Sequence, residues 1–201
     1  FVLLLILALA FCIRLYFAST MNVDLDEGQF VYDANCLGNG MIPFVDWTTR
    51  APLLLGFLAL SIKIFGYSLI AGKIVIIFFT VLTGYILYCI GRELYSKRIG
   101  FIACLVFLFM PFNIYSTIVV NEEPVKIFFI TLSVYMLVLG LKMGQNRFFL
   151  LNGLFIGLAF LIRRSSLVYL PLEPLVFLLF YKQFGTALKK SVIVGLGTII
   201  G

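Results

Sequence analysis

The chain has 201 residues, 63% of them hydrophobic and only 12% charged, with a formal net charge of +6. Mean hydropathy is +1.14, whereas a soluble domain carries about 25% charged and roughly 45–50% apolar residues. The composition excludes an ordinary soluble domain and indicates a polytopic membrane protein, in which excess Lys and Arg belong on cytoplasmic turns and not on a nucleic-acid surface. There is no histidine, so His-based triads and His-ligated zinc are removed from this stretch. Acid–base work is left to carboxylates, Lys or Tyr. Cys12, Cys36, Cys89 and Cys104 show no paired spacing, and neither disulfides nor a thiolate metal centre is expected.

Phe1 opens inside one apolar run and Gly201 closes inside another. We read the chain as the N-terminal part of a longer protein, a single transmembrane domain over 1–201. The first run, 1–20, is longer than a signal-peptide core. It is also long enough to cross about 30 Å of hydrocarbon at about 1.5 Å per residue. Further runs fall near 68–90, 99–120, 124–141, 148–162 and 166–181, with another from 191. The run 148–162 is short for a span and borrows Arg147 and Arg163 as snorkelling ends. Backbone groups in lipid need internal partners, so the runs predict helices and an all-α transmembrane bundle. Gly84, Pro111, Gly153 and Gly157 inside them read as close helix packing or kinks.

Loop charge sets the orientation. The segment 21–67 is placed outside as the first extracytoplasmic loop. The turns holding Arg92, Lys97, Arg98, Lys142, Arg147, Lys182, Lys189 and Lys190 fall inside, against Glu93 alone. The outer loop holds Asp24, Asp26, Glu27, Asp33 and Asp46 against Arg50 and Lys63, and the outer turn near 120 adds Glu122 and Glu123. Both acidic clusters therefore fall on one side of the membrane. Within the loop, Asp24 followed three residues later by Glu27 reads as a capping box. Phe30, Ala34 and Leu37 continue at helical spacing until Gly38-Asn39-Gly40 stops the helix. Asp26, Phe30 and Asp33 share a face of this short interfacial helix. Pro52 begins a second apolar stretch, to Phe65, read as a juxtamembrane or re-entrant helix.

Carboxylates beside hydrocarbon are costly, which makes the acids the first candidates for chemistry. At a helix N-terminus the macrodipole favours the ionised form, suited to a base or a cation ligand. Asp26 and Glu27 are candidates on that ground, though Glu27 also completes the capping box and Asp26 also reads as a solvated first-turn acid. Glu122 and Glu123 precede Pro124, a residue favoured at the start of a helix; they read either as an acidic cap or as a pair that orients substrate. Arg50, Lys63, Arg163 and Arg164 place positive charge at the outer face against the usual bias. Phosphate binding explains that, as does anchoring to lipid headgroups. Arg14, about two turns from the outer end of its run, either snorkels or pairs with an acid of the outer loop, and pairing is the expectation. Tyr32 and Trp47 either stack on a sugar ring or sit in the interfacial belt.

The order of these features resembles the GT-C membrane glycosyltransferases. The likeness is to the branch of the dolichyl-phosphate-mannose protein mannosyltransferases and the lipid A aminoarabinose transferase. The pieces that carry it are Asp26-Glu27, the helix from Phe30 to Ala34, Gly38-Asn39-Gly40, Pro52-Leu53-Leu54, Phe65-Gly66, Gly91-Arg92-Glu93-Leu94, Pro111, Glu123-Pro124 and Gly157 to Arg163. Together they cover almost the whole chain. Arg50-Ala51-Pro52 stands where the family has Lys-Pro-Pro, and Glu123 where Asp is commoner; both departures bear on the substrate more than on the fold. The resemblance implies inverting transfer from a polyprenyl- or dolichyl-phosphate sugar to a lipid, glycan or protein acceptor at the extracytoplasmic face. Asp26 would be the base, Glu122 and Glu123 would position substrate, and Arg50 and Arg163 would support the leaving phosphate. Some relatives use a divalent cation; oxygen ligands suit Mg or Mn, with Asp26 and Glu123 the carboxylates for it. Nucleic acid is not an expected partner, and membrane lipids are.

The chief rival is a transporter or lipid flippase in which the same acids bind a cation or proton. Transporters place ionisable groups near the midplane of broken helices and often show inverted repeats. Here the acids cluster outside the runs and no repeat is visible. A non-catalytic subunit whose outer loop docks a partner is the second rival.

Overall fold

The computed structural model describes residues 2–20, 25–41, 51–181 and 183–201. The elements are all helical: α1 (Val2–Thr20), α2 (Leu25–Gly38), α3 (Pro52–Phe65), α4 (Leu69–Leu94), α5 (Lys97–Phe109), α6 (Pro111–Ser116), α7 (Glu123–Met143), α8 (Asn146–Ile162), a 3-10 helix (Arg164–Tyr169), α9 (Leu172–Tyr181) and α10 (Phe184–Ile200). The described residues contain no strand, as an all-α bundle requires. Among the described residues, three helices, α1, α4 and α7, are long and apolar enough to cross a membrane.

Two apolar runs differ from a simple span. The run 99–120 breaks at Met110, whose backbone is extended at φ −63°, ψ 124°, and Pro111 then opens α6. The residue before proline is pushed out of the α region, while proline itself suits the first helical position. The run 166–181 begins inside the 3-10 helix, and α9 has only ten residues. Two helices expected in the first loop form where the residue pattern places them, as α2 and α3. Ala51, just before α3, is left-handed at φ 52°, ψ 58°. Proline cannot take that φ, so this backbone is closed to the Pro that the family's Lys-Pro-Pro would put at position 51.

The chain divides into two compact units, Phe1–Val125 and Lys126–Gly201. In the first, α1 and α4 run antiparallel. Lys73 near the start of α4 donates to the Ala18 carbonyl at 3.1 Å, while Val2 and Leu3 share an open groove with Tyr88, near the end of α4. Helices in lipid gain little from the hydrophobic effect and associate through close packing at small residues. Gly91 of α4 meets Gly100 of α5, where a Cβ on Gly91 would lie 2.5 Å from the Gly100 Cα, and a Cβ on Gly84 would lie 2.7 Å from Leu108 Cγ. Ala10, Cys104 and Leu108 form one buried cluster of this unit, and Ala18, Ile77 and Ile118 another. In the second unit Gly153 of α8 abuts the Val194 carbonyl of α10, and a Cβ on Gly157 would lie 2.6 Å from the Thr198 carbonyl. Gly84, Gly153 and Gly157, expected as packing or kink positions, are close-packing positions, whereas Pro111, read in the same way, starts a new helix. Phe149 and Phe177 meet edge to face at 5.3 Å in the core of this unit.

Candidate functional site

Helix α2 is favoured by Asp26 and Glu27 in its first turn, where the macrodipole stabilises negative charge. It stops at Gly38, with Gly40 at φ 89° closing the turn. Glu27, Val31 and Ala34, at helical spacing, are all buried. The side chains of Val31 and Val120 approach bare backbone at Gly72, where a Cβ would meet each at 3.0 Å. Asp26 is exposed and Glu27, next to it, is fully buried.

Glu27 is held from two directions. The Val120 amide donates to its Oε1 at 2.7 Å, and Lys73 Nζ lies 3.7 Å from the same oxygen. Lys73 is itself buried. A single carboxylate thereby links α2, α4 and the segment that leads into α7, and Lys73 adds the end of α1. The arrangement brings the two acidic stretches together, because Val120 is two residues before Glu122 and three before Glu123.

The segment entering α7 is shaped by Asn121. Its Nδ2 donates to the carbonyls of Ser116 (3.0 Å) and Val119 (3.1 Å), and its Oδ1 accepts from the Glu123 amide at 3.0 Å. Glu122 and Glu123, which follow Asn121, are half-buried. Beneath them, Arg14 differs from expectation. Its Nε donates to Thr117 Oγ1 at 3.0 Å, Nη1 to the Ala10 carbonyl at 3.2 Å and Nη2 to the Leu108 carbonyl at 2.7 Å. No acid pairs with it among the described residues. The break at Met110 strips the last carbonyls of α5 of their helical partners, and Arg14 takes one of them.

The remaining candidates lie on separate elements. Tyr32 is exposed on α2, and a hydrogen bond with Cys36, one turn on, holds its phenol above the ordinary value. Lys63 is exposed in the last turn of α3. Arg163 and Arg164 are exposed where α8 gives way to the 3-10 helix, and they belong to the second unit. Arg50, Trp47, Asp46 and Asp24, with the capping-box reading that rests on Asp24, lie outside the described residues. Among the described residues no group of three or more His, Cys, Asp or Glu side chains is gathered as a metal-binding set.

The pattern of the dolichyl-phosphate-mannose-protein mannosyltransferase family matches residues 49–201. The chain belongs to that family. It is accordingly a membrane glycosyltransferase of the class that draws its sugar from a dolichyl-phosphate donor, and the transporter reading gives way to it. No curated protein and no solved structure matches the chain. The family match begins after α2, so it covers Glu122, Glu123, Lys63, Arg50, Arg163 and Arg164 but not Asp26, Glu27 or Tyr32.

Three residues of consequence lacked a motif. Lys73, a lone cation inside an apolar run, carried a readable signal, since such a residue calls for a partner. Asn121 was hidden by the acids beside it. Glu173, on α9, is buried and follows a proline-marked turn; only its neighbours in space give it meaning.

Proposed function

We propose that this mannosyltransferase-family chain transfers its sugar with inversion at the extracytoplasmic membrane face, with Asp26 as the base. The observation that supports this is the pinning of Glu27 to Val120 and Lys73. It fixes the first turn of α2 from behind and leaves Asp26, the next residue back, exposed. The charge distribution supports the sidedness, since the acids gather at one end of the first unit and Arg92, Lys97 and Arg98 at the other.

In the proposed step the acceptor oxygen attacks the anomeric carbon on the face opposite the phosphate. Asp26 takes the hydroxyl proton as the new C–O bond forms. The bond from the anomeric carbon to the phosphate oxygen breaks, and its electron pair leaves with the polyprenyl phosphate. A carboxylate near the operating pH in its basic form is suited to the first task. Fixed cations are suited to the last, and Arg50, Arg163, Arg164 and Lys63 are the proposed supports for the departing charge. Glu122 and Glu123 position the acceptor, Tyr32 offers a ring to the sugar, and Glu27 holds α2 in place. Magnesium retains several waters and binds through one or two carboxylates, which Asp26 and Glu123 supply; the step above does not depend on it. The acceptor class follows the family, a protein hydroxyl, with lipid and glycan hydroxyls as the other classes to test.

Membranes carrying the full-length protein, given labelled dolichyl-phosphate mannose and an acceptor peptide, test the reading. At equal expression Asp26→Asn should lower transfer by about 10²–10⁴-fold, the span of general-base catalysis. The product should carry the anomeric configuration opposite to the donor's. Transfer that survives in the mutant removes Asp26 from the mechanism, and retained configuration removes the single displacement.

A further inference from the structure

At the end of the first unit away from Glu27, an open groove of about 650 Å³ runs between the start of α1, the end of α4 and the start of α5. Its charged lip is Lys97 and Arg98, in the first turn of α5, and both are exposed. No acid pairs with either among the described residues, since the nearby Glu93 pairs with Arg92 at 3.0 Å. Its floor and walls are apolar. Phe101 and Ile102 lie four residues after Lys97 and Arg98, so each apolar side chain stands on the same helix face as a cation and about 6 Å deeper along α5. Val2 and Leu3 of α1 form the facing wall. The apolar surface continues past the groove, with Ile102 58% exposed and Val106 61% exposed on α5. Since α1 and α4 are both long and apolar enough to span a membrane, the groove opens where a headgroup meets the acyl region.

We propose that this groove is a binding site for one anionic glycerophospholipid. The lipid phosphate and its negative headgroup sit against Lys97 and Arg98. The upper methylenes of an acyl chain lie between Leu3 and the Phe101–Ile102 pair. Tyr88 is placed to face the ester region, as aromatic side chains with a polar tip do at membrane interfaces. Basic side chains at a membrane surface attract anionic lipid. The four-residue step from charge to apolar wall is what selects a lipid over a soluble anion. The site stands independently of the role given to Asp26.

Full-length protein in detergent, titrated with phosphatidylglycerol or phosphatidylcholine and followed by native mass spectrometry, tests it. One phosphatidylglycerol should be retained where phosphatidylcholine is not. Lys97→Gln with Arg98→Gln should weaken retention roughly tenfold or more, whereas Lys142→Gln with Lys189→Gln, an equal loss of charge elsewhere, should leave it unchanged. Ile102→Trp, which fills the groove and keeps both cations, should also abolish retention, and it serves if the double variant does not fold. Equal retention of the two lipids, an equal loss in the control variant, full retention in Ile102→Trp, or displacement by inorganic phosphate alone would each overturn the proposal.

Discussion

Glu27 in the first unit and Glu173 in the second are both buried, yet only Glu27 has a cation beside it among the described residues. Glu27 meets Lys73 and the Val120 amide. Glu173 Oε1 accepts from Asn152 Nδ2 at 3.2 Å, while its Oε2 and Asn152 Oδ1 are buried without a partner. A buried ion pair is poor evidence of net stability, because desolvation offsets much of the attraction. Its value lies in location. The pair at Glu27 ties three separate stretches of chain to one another, whereas the Asn152–Glu173 contact leaves two buried acceptors without a partner. One carboxyl group is a fastener, the other keeps a buried oxygen without a partner, and similar burial conceals the difference.

The largest expected effect comes from breaking the fastener. Lys73→Met strands Glu27 as a buried, uncompensated charge and should cost about 3–5 kcal/mol, read as a fall in the melting temperature of the detergent-purified protein. The double variant Lys73→Met with Glu27→Gln should recover most of that loss; no recovery would mean that Lys73 acts by packing alone. A smaller change of opposite sign is expected in the second unit. Glu173→Gln replaces a carboxyl that has no cation beside it and adds an N–H donor for the open Asn152 acceptor, so it should stabilise by about 1–3 kcal/mol. A lower melting temperature there would show that the Glu173 carboxyl has a partner after all and would erase the contrast. The smallest effect concerns Arg14, another buried charged group, shared among neutral acceptors. Thr117→Val deletes one of its three acceptors and should cost about 1 kcal/mol, visible in thermal unfolding and absent in an Arg14→Met background.

Much of the candidate site was legible along the chain. Asp26-Glu27 at a helix start, Gly38-Asn39-Gly40 at its end and Glu123-Pro124 at another start all rest on local rules: dipole, turn geometry, and proline at the first position. Those rules act within a few residues, so a single stretch of sequence suffices to read them. The pairing of Arg14 was misjudged because its outcome depended on a carbonyl about ninety residues away, freed by the break at Met110–Pro111. Lys73 was passed over because its partners lie on α1 and α2. The run 99–120 counted as one span by hydropathy, which does not register that a residue before proline leaves the helix.

Composition alone fixed the membrane setting and the helical class, since lipid admits only segments that satisfy their own backbone. Residue order fixed the bounds of α2 and α3 and the likeness to a mannosyltransferase family. Only the tertiary structure decided which buried ionisable groups have partners. Charge balance depends on distances between side chains far apart in sequence, and in a low-dielectric interior a difference of a few ångströms separates a pair from an orphan.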